Sequence, residues 1–236
     1  MKAMIFAAGL GTRLKPWTDS HPKALAPVNR KPLLQRNIEY LRSYGIDEII
    51  INLHHFADQI RDFLISHNYF GCHITLSYET DKPLETGGGL KKAGWFFNEP
   101  GIVMNADILT NLDITAFKKF HLQNKPLVSL AVTKRNSARK FVFNANGQLC
   151  GWKNSKTGEE KISIDSKYTV AKAFSGIQIV GPELFPLIEE NGVFSLVDLY
   201  LRLAKNHPIL AYDHSDDLLI DVGKPDSIKE AEKLFL

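Results

Sequence analysis

Residues 2–8 form an almost unbroken apolar run, closed at once by Gly9-Leu10-Gly11. A strand with one wet face alternates polar and apolar residues, whereas one buried on both faces reads as a continuous run. The chain therefore opens with a strand inside a covered sheet. Residues 34–44 place Leu34, Ile38 and Leu41 at helical spacing, after Pro32 and before Gly45. Residues 48–53 predict a second strand, and 56–65 a helix with Phe56, Ile60, Phe63 and Leu64 on one face. Residues 73–78 predict a third strand, 101–105 a fourth, 114–123 a helix and 127–133 a fifth strand. Strands alternating with helices imply a largely parallel sheet covered on both faces.

After Arg135 the pattern changes. Residues 141–143 and 148–152 predict short antiparallel strands around Asn146-Gly147, a hairpin signal. Residues 153–167 are polar and read as a loop, and 173–180 return to the core. Residues 195–204 predict a helix opened by Ser195, with Asp198 in the place of a capping-box acid. Residues 218–222 read as a last strand, and 225–236 as a closing helix with Pro225 at its start.

With 29 Lys and Arg against 26 Asp and Glu, the 236 residues carry a net charge of only +3. No run of five basic residues occurs, which argues against a nucleic-acid partner. Cys72 and Cys150 form no CxxC pair, so free thiols in a reducing compartment are expected. No apolar stretch approaches the roughly 20 residues of a membrane span. The apolar start ends in Gly9-Leu10-Gly11-Thr12-Arg13 rather than a cleavage site, so the expected address is the cytoplasm.

The turn after the first strand carries the strongest chemical signal. Its glycines let backbone N–H groups approach phosphate oxygens. Leu14 stands where a dinucleotide fingerprint needs its third glycine, and no Gly-Lys-Ser/Thr follows, so neither common phosphate loop fits. Arg13 offers a planar fork to a pyrophosphate, and Lys23 a point charge to another phosphate. Asp107 closes the fourth strand and Asp221 the last one. Ligands of open α/β sheets sit beyond the carboxyl ends of strands, and two acids there can hold one Mg²⁺ between them. Residues 83–89 add a second glycine cluster, read as a loop that lies flat against a planar base and then opens a helix. His54-His55 reads as polar loop, since adjacent strand residues do not share a face. Ser175 and Ser195 lack a GxSxG elbow, so a hydrolase triad has no support.

These stretches resemble the signature of the sugar-1-phosphate nucleotidylyltransferases, G-x-G-T-R-L followed by P-x-T and P-K-x-L. Gly9 to Leu14, Pro16-Trp17-Thr18 and Pro22-Lys23-Ala24-Leu25 match it, and Ala26-Pro27-Val28 and Lys31-Pro32-Leu33 continue the match. The resemblance implies a three-layer α/β/α Rossmann-like fold, with a mixed, mainly parallel sheet and a small β-rich sugar-binding lobe. It implies one domain over 1–236, divided into a nucleotide-binding part (1–134), the lobe (135–172) and a sugar-side, metal-binding part (173–236). The implied catalytic residues are Arg13, Lys23 and Asp107. The implied nucleotide contacts are Ala8, Gly9, Gly11, Thr12, Arg13, Lys23, Glu85, Thr86, Gly87 and Gly88. Sugar and sugar-phosphate contacts would be Asn105, Gly176, Arg139 and Lys153. Asp107 and Asp221 would hold Mg²⁺, with Mn²⁺ as a substitute. Many relatives carry Glu-Lys-Pro after the hairpin, where this chain reads Trp152-Lys153-Asn154-Ser155-Lys156, so Lys156 and Lys140 also stand as candidate phosphate anchors.

The form Leu84-Glu85-Thr86-Gly87-Gly88-Gly89 looks most like that of N-acetylmuramate-1-phosphate uridylyltransferases of cell-wall recycling. The expected substrates are therefore UTP and N-acetylmuramate 1-phosphate. Mannose 1-phosphate with GTP, or glucose 1-phosphate with dTTP or UTP, is the runner-up. A silent ligand-sensing subunit would not need Arg13, Lys23, Asp107 and Asp221 together. A glycosyltransferase would want Asp-x-Asp where Asn105-Ala106-Asp107 stands. Partners should be small molecules alone, with no nucleic acid or membrane, on a monomer or small homo-oligomer.

Overall fold

The computed structural model describes residues 1–235. Its first part runs β1 (Ala3–Phe6), β2 (Pro27–Val28), β3 (Lys31–Pro32), α1 (Leu33–Ser43), β4 (Glu48–Leu53), α2 (Ala57–Ser66), β5 (His73–Tyr78), α3 (Glu85–Lys92) and β6 (Gly101–Asn105). There follow β7 (Ile108–Thr110), α4 (Ile114–Asn124), β8 (Val128–Thr133), β9 (Arg139–Asn144), β10 (Leu149–Asn154), β11 (Glu159–Ile162) and β12 (Thr169–Val180). The chain closes with α5 (Leu196–Leu203), β13 (Ile209–Asp213), β14 (Leu219–Asp221) and α6 (Pro225–Leu234).

The central sheet is mixed. It runs β5-β4-β1-β6-β12-β9-β10-β11, with β8 branching from β12 and β13 pairing in turn with β8. The β5-β4-β1-β6 portion is parallel throughout, while β12 runs antiparallel to β6. Side-chain alternation sorts the two faces. Ile5, Ile49, Ile51, Ile102 and Met104 pack on one side under α1, α2 and α4, where Leu34, Ile38, Leu64 and Phe117 meet them. Met4, Ile50 and Val103 point the other way, towards Leu90 of α3 and Leu199 and Tyr200 of α5. Both faces are thus covered, which explains the continuous apolar runs. Each such fully buried side chain contributes roughly 1.5–3 kcal/mol. A third, smaller cluster joins Val28, Leu109, Ile220, Val222 and Ala231, tying β2, β7, β14 and α6 together.

The lobe departs from expectation in one place. Residues 153–167 are not all loop: β10 runs on to Asn154, and β11 pairs antiparallel with it. Its composition hid it, because β11 is an edge strand whose Glu159 and Glu160 stay exposed. Charged residues are what protects a sheet edge from further pairing. The Asn146-Gly147 turn is as expected, with Gly147 at φ +75° and the Asn144 carboxamide accepting from the backbone N–H groups of Asn146 and Gln148. Ser195 does cap α5, accepting from Val197 N at 3.1 Å. Asp198 does not complete a box; it accepts from Lys161 Nζ at 2.7 Å and so ties α5 to the lobe.

His121 of α4 is buried and hydrogen-bonds Ser129 of β8 at 2.9 Å. Burial holds its pKa down, from 6.5 to about 4. The unfolded chain then takes up this proton first as the pH falls, so stability drops between those two values. Urea unfolding from pH 7 to pH 4 should show a loss on the order of 2 kcal/mol from this group. His121→Gln, which keeps a partner for Ser129, should remove that part of the slope.

Candidate active site

Strands β6, β1, β4 and β5 all end on one edge of the sheet, and a cavity of about 450 Å³ opens there. Its floor comes from residues 6–13, Asn52, Glu79 and residues 105–107, and its walls from Lys23, Pro83, Glu85, Thr86 and Gly223. Gly11 sits in the left-handed region, at φ +64°, and a Cβ there would come within 2.9 Å of Lys23 Cβ and Thr18 Cγ2. Thr18 Oγ1 donates to Gly11 O at 3.0 Å, and Leu14 N does so at 2.9 Å, so the turn is closed tightly under the cavity. Gly9 has open space where a Cβ would be, which leaves its backbone reachable by a ligand.

The charged groups converge from three segments. The Lys23 ammonium pairs with Asp107 Oδ2. Asp107 O accepts from Val222 N at 2.8 Å, and Asp221 lies opposite Ile108 in the β14–β7 pair. The two aspartates therefore sit on adjoining strand ends. A Cβ on Gly223 would lie 2.8 Å from Asp221 Oδ1 and 3.0 Å from Arg13 Nη2, so this glycine makes room where the carboxylate and the guanidinium meet. Asp221 Oδ1 is buried and has no hydrogen-bond partner among the described residues. An orphaned carboxylate oxygen, with a second aspartate on the adjoining strand end, suits a hard cation such as Mg²⁺.

The opposite end of the cavity is built on β5. Three inter-strand steps separate it from β6, about 14 Å at ~4.8 Å each. Glu79 is buried there, its Oε1 accepting from Asn52 Nδ2 and its Oε2 from Leu84 N, both at 2.7 Å. Asn52 Oδ1 in turn accepts from Ala7 N at 2.8 Å. The side chain of Asn52 thus carries the hydrogen-bond chain from the phosphate-type turn to the far wall.

Comparison with known proteins shows what this arrangement belongs to. Residues 2–147 match the family described as Nucleotidyl transferase. The N-acetylmuramate alpha-1-phosphate uridylyltransferase of Neisseria meningitidis is 31% identical, over 99% of this chain and 98% of its own length. The chain belongs to the sugar-1-phosphate nucleotidylyltransferase family. The UTP–glucose-1-phosphate uridylyltransferase of Synechocystis sp. is also 31% identical, over 95% of this chain, which spans 60% of that longer relative. Among solved structures, HddC from Yersinia pseudotuberculosis complexed with GMP-PN shares the fold, with a TM-score of 0.80 at 24% identity, covering 100% of this chain and 99% of that one.

Of the residues singled out in this nucleotidylyltransferase from its sequence, Ala8, Gly9, Gly11, Thr12, Arg13, Lys23, Glu85, Thr86, Asn105 and Asp107 line the cavity. Asp221 stands just behind them, beside Gly223. Gly87 and Gly88 are placed differently: they lie inside α3, not in a loop, and turn away from the cavity wall. A Cβ on Gly87 would strike the Phe194 ring at 2.4 Å, and one on Gly88 would strike Gly192 O at 2.2 Å. These glycines let the segment 192–194 press against the helix, which Gly87 N seals by donating to Phe194 O at 2.9 Å. Gly176 lies under Asn105 rather than in the cavity lining. Arg139 and Lys153 are carried by the lobe strands β9 and β10, away from that lining. Lys153 lines a second cavity of about 180 Å³, with Trp152, Lys161 and Asp165. The sequence reading missed Asn52 and Glu79. Their signal was a polar residue within the apolar run 49–53 and an acid just past a strand end.

Proposed function

We propose that the chain joins a nucleoside triphosphate to a sugar 1-phosphate, releasing pyrophosphate, with UTP and N-acetylmuramate 1-phosphate as the pair. The observation that carries the reaction is the convergence of Arg13, Lys23, Asp107 and Asp221 at one end of a single cavity, across the glycine turn. The choice of pair rests on the Leu84–Gly89 sequence and on the Neisseria relative, matched over nearly its whole length.

The sugar phosphate is already anionic at neutral pH, since its second pKa is near 6, so no strong general base is required. One of its oxygens attacks the α-phosphorus. The new P–O bond forms as the bond to the β-phosphate oxygen breaks, and that electron pair leaves with pyrophosphate. The work of the protein is positioning and charge neutralisation. The backbone at Gly9 offers close approach to the phosphates. Arg13 spans two oxygens of the leaving pyrophosphate. Lys23, paired here with Asp107, lies within the same cavity and supplies positive charge to the α-phosphate. Asp107 and Asp221 would hold Mg²⁺, which supplies charge neutralisation at the phosphate oxygens when bound.

One observation favours a second reading for the base. The far end of the cavity presents Glu85, and the two oxygens of a carboxylate accept hydrogen bonds side by side, while those of Glu79 are already engaged by Asn52 and Leu84. The N1–H and N2–H₂ edge of guanine matches two acceptors better than the single N3–H of uracil does. The deciding experiment measures pyrophosphate release for UTP, GTP and dTTP against N-acetylmuramate, mannose and glucose 1-phosphates. UTP with N-acetylmuramate 1-phosphate should turn over fastest. A lead for GTP with mannose 1-phosphate would replace the substrate pair and keep the reaction.

A further inference from the structure

The pairing of β12 with β8 breaks between Phe174 and Gln178, so that three residues of β12 stand against Ala131 alone. Gly176 lies in this bulge at φ +74°. A Cβ there would come within 2.9 Å of both Asn105 Nδ2 and Ile108 Cγ1, so the bulge is the seat on which the Asn105 side chain rests. Asn105 closes β6 and lines the cavity.

A bulge gives up ladder hydrogen bonds, and its polar groups need other partners. One side chain from a neighbouring segment takes a freed carbonyl, and a second engages the Ser175 hydroxyl within the bulge. Arg135 Nη2 donates to Phe174 O at 2.8 Å. His214 Nε2 lies 2.7 Å from Ser175 Oγ, with both residues buried. The histidine is itself held: its backbone N–H donates to Val132 O at 3.0 Å, and the Asp217 carboxylate lies 3.3 Å from its Nδ1 as a charged neighbour rather than a hydrogen-bond partner. A carboxylate at Nδ1 favours the proton on that nitrogen. Nε2 is then the acceptor, and the Ser175 hydroxyl donates to it. Burial lowers the pKa of His214 against the opposing pull of Asp217, which keeps the ring neutral at neutral pH.

Serine, histidine and aspartate in this order make the constellation of a hydrolase. Here Ser175 has no exposed surface, so no substrate reaches its hydroxyl. The same chain of contacts does another job. We propose that His214 is a positioning residue for the sugar 1-phosphate side of the site: through Ser175 it fixes the β12 bulge, and the bulge fixes Asn105 at the cavity. The kinetic part rests on the proposed nucleotidylyltransferase reaction. The sheet order puts β12 beside β6 and three places away from β4, so the effect falls on the sugar end and spares the base end.

The test compares His214→Ala, His214→Gln and Ser175→Ala in the full chain, with two readouts. In kinetics with the best substrate pair, His214→Ala and Ser175→Ala should raise KM for the sugar phosphate about tenfold, the scale of one lost buried hydrogen bond. KM for the triphosphate should stay within about twofold. His214→Gln, whose amide oxygen can accept from Ser175, should restore most of the sugar KM. In hydrogen–deuterium exchange, residues 174–178 should exchange faster in both alanine variants. An unchanged sugar KM, or one that rises together with the triphosphate KM, overturns the proposal. If the wild type releases no pyrophosphate with any pair, the functional reading falls, and exchange alone decides the role of His214. Unchanged exchange in 174–178 then overturns it.

Discussion

Asp107→Asn is expected to lower turnover about 10²–10³-fold while the protein stays folded. The substitution keeps the shape of the side chain and removes its charge. That charge now faces the Lys23 ammonium, and both side chains are largely shielded from water, at 14% and 19% exposure. In the proposed reaction the same carboxylate helps place the cation that neutralises the reacting phosphates, a contribution felt most as charge develops in the transition state. The fold does not depend on it. The backbone link that joins this strand end to the next uses Asp107 O, which the substitution leaves in place. Pyrophosphate release at saturating Mg²⁺, measured beside a thermal melt, separates the two effects. Near-normal turnover with an unchanged melt would remove Asp107 from the machinery.

The second large effect is on stability. Gly88→Ala places a methyl group 2.2 Å from Gly192 O and 2.9 Å from Leu84 Cβ. In an open helix the same change would stabilise by roughly 0.5–1 kcal/mol, because alanine loses less backbone entropy. Here the obstacle is a backbone carbonyl, which cannot rotate aside as a side chain can. Overpacking of this kind costs about 1–3 kcal/mol. The clash term is the larger, so the sign reverses and the variant should be destabilised by about 1–2 kcal/mol. Urea denaturation measures it directly. A second consequence follows from position: α3 also carries Glu85 and Thr86 into the cavity wall, so KM for the triphosphate should rise with the loss of stability. A variant as stable as the wild type would show that the segment 192–194 does not hold the helix closely.

In the parallel half of the sheet β1, β4 and β6 were legible because each is hidden on both sides and so writes its burial directly into the sequence, while the edge strand β5 showed itself by the alternation of Ile74, Leu76 and Tyr78. That Arg13, Lys23 and Asp107 share one cavity was legible for other reasons: Arg13 follows a glycine pair, Asp107 follows a strand end, and Lys23 stands in the Pro22-Lys23-Ala24-Leu25 stretch that carries the family resemblance. Glu79 and Asn52 were not. Their significance lies in bonds to residues 27 and 45 positions away in the chain, and no local pattern marks such pairs. The glycines of α3 misled because three in a row normally weaken a helix. What overrides propensity is the close approach of Phe194 and Gly192, a tertiary fact. Strand β11 was missed because an edge strand shows charge where a central one shows valine and isoleucine.

The order in which the chain is made gives β14 a further meaning. The glycine turn, Lys23 and Asp107 all emerge from the ribosome before β14 does, and the parallel strands beneath them can pair with one another. Asp221 and Gly223 arrive only with β14, which docks antiparallel on β7, a strand laid down nearly half a chain before. The charged groups of the cavity are therefore united only once β14 has been made. A nascent chain halted before β14 would carry the glycine turn without the second carboxylate, and competence for the proposed reaction would come with the docking of that one strand rather than growing with chain length.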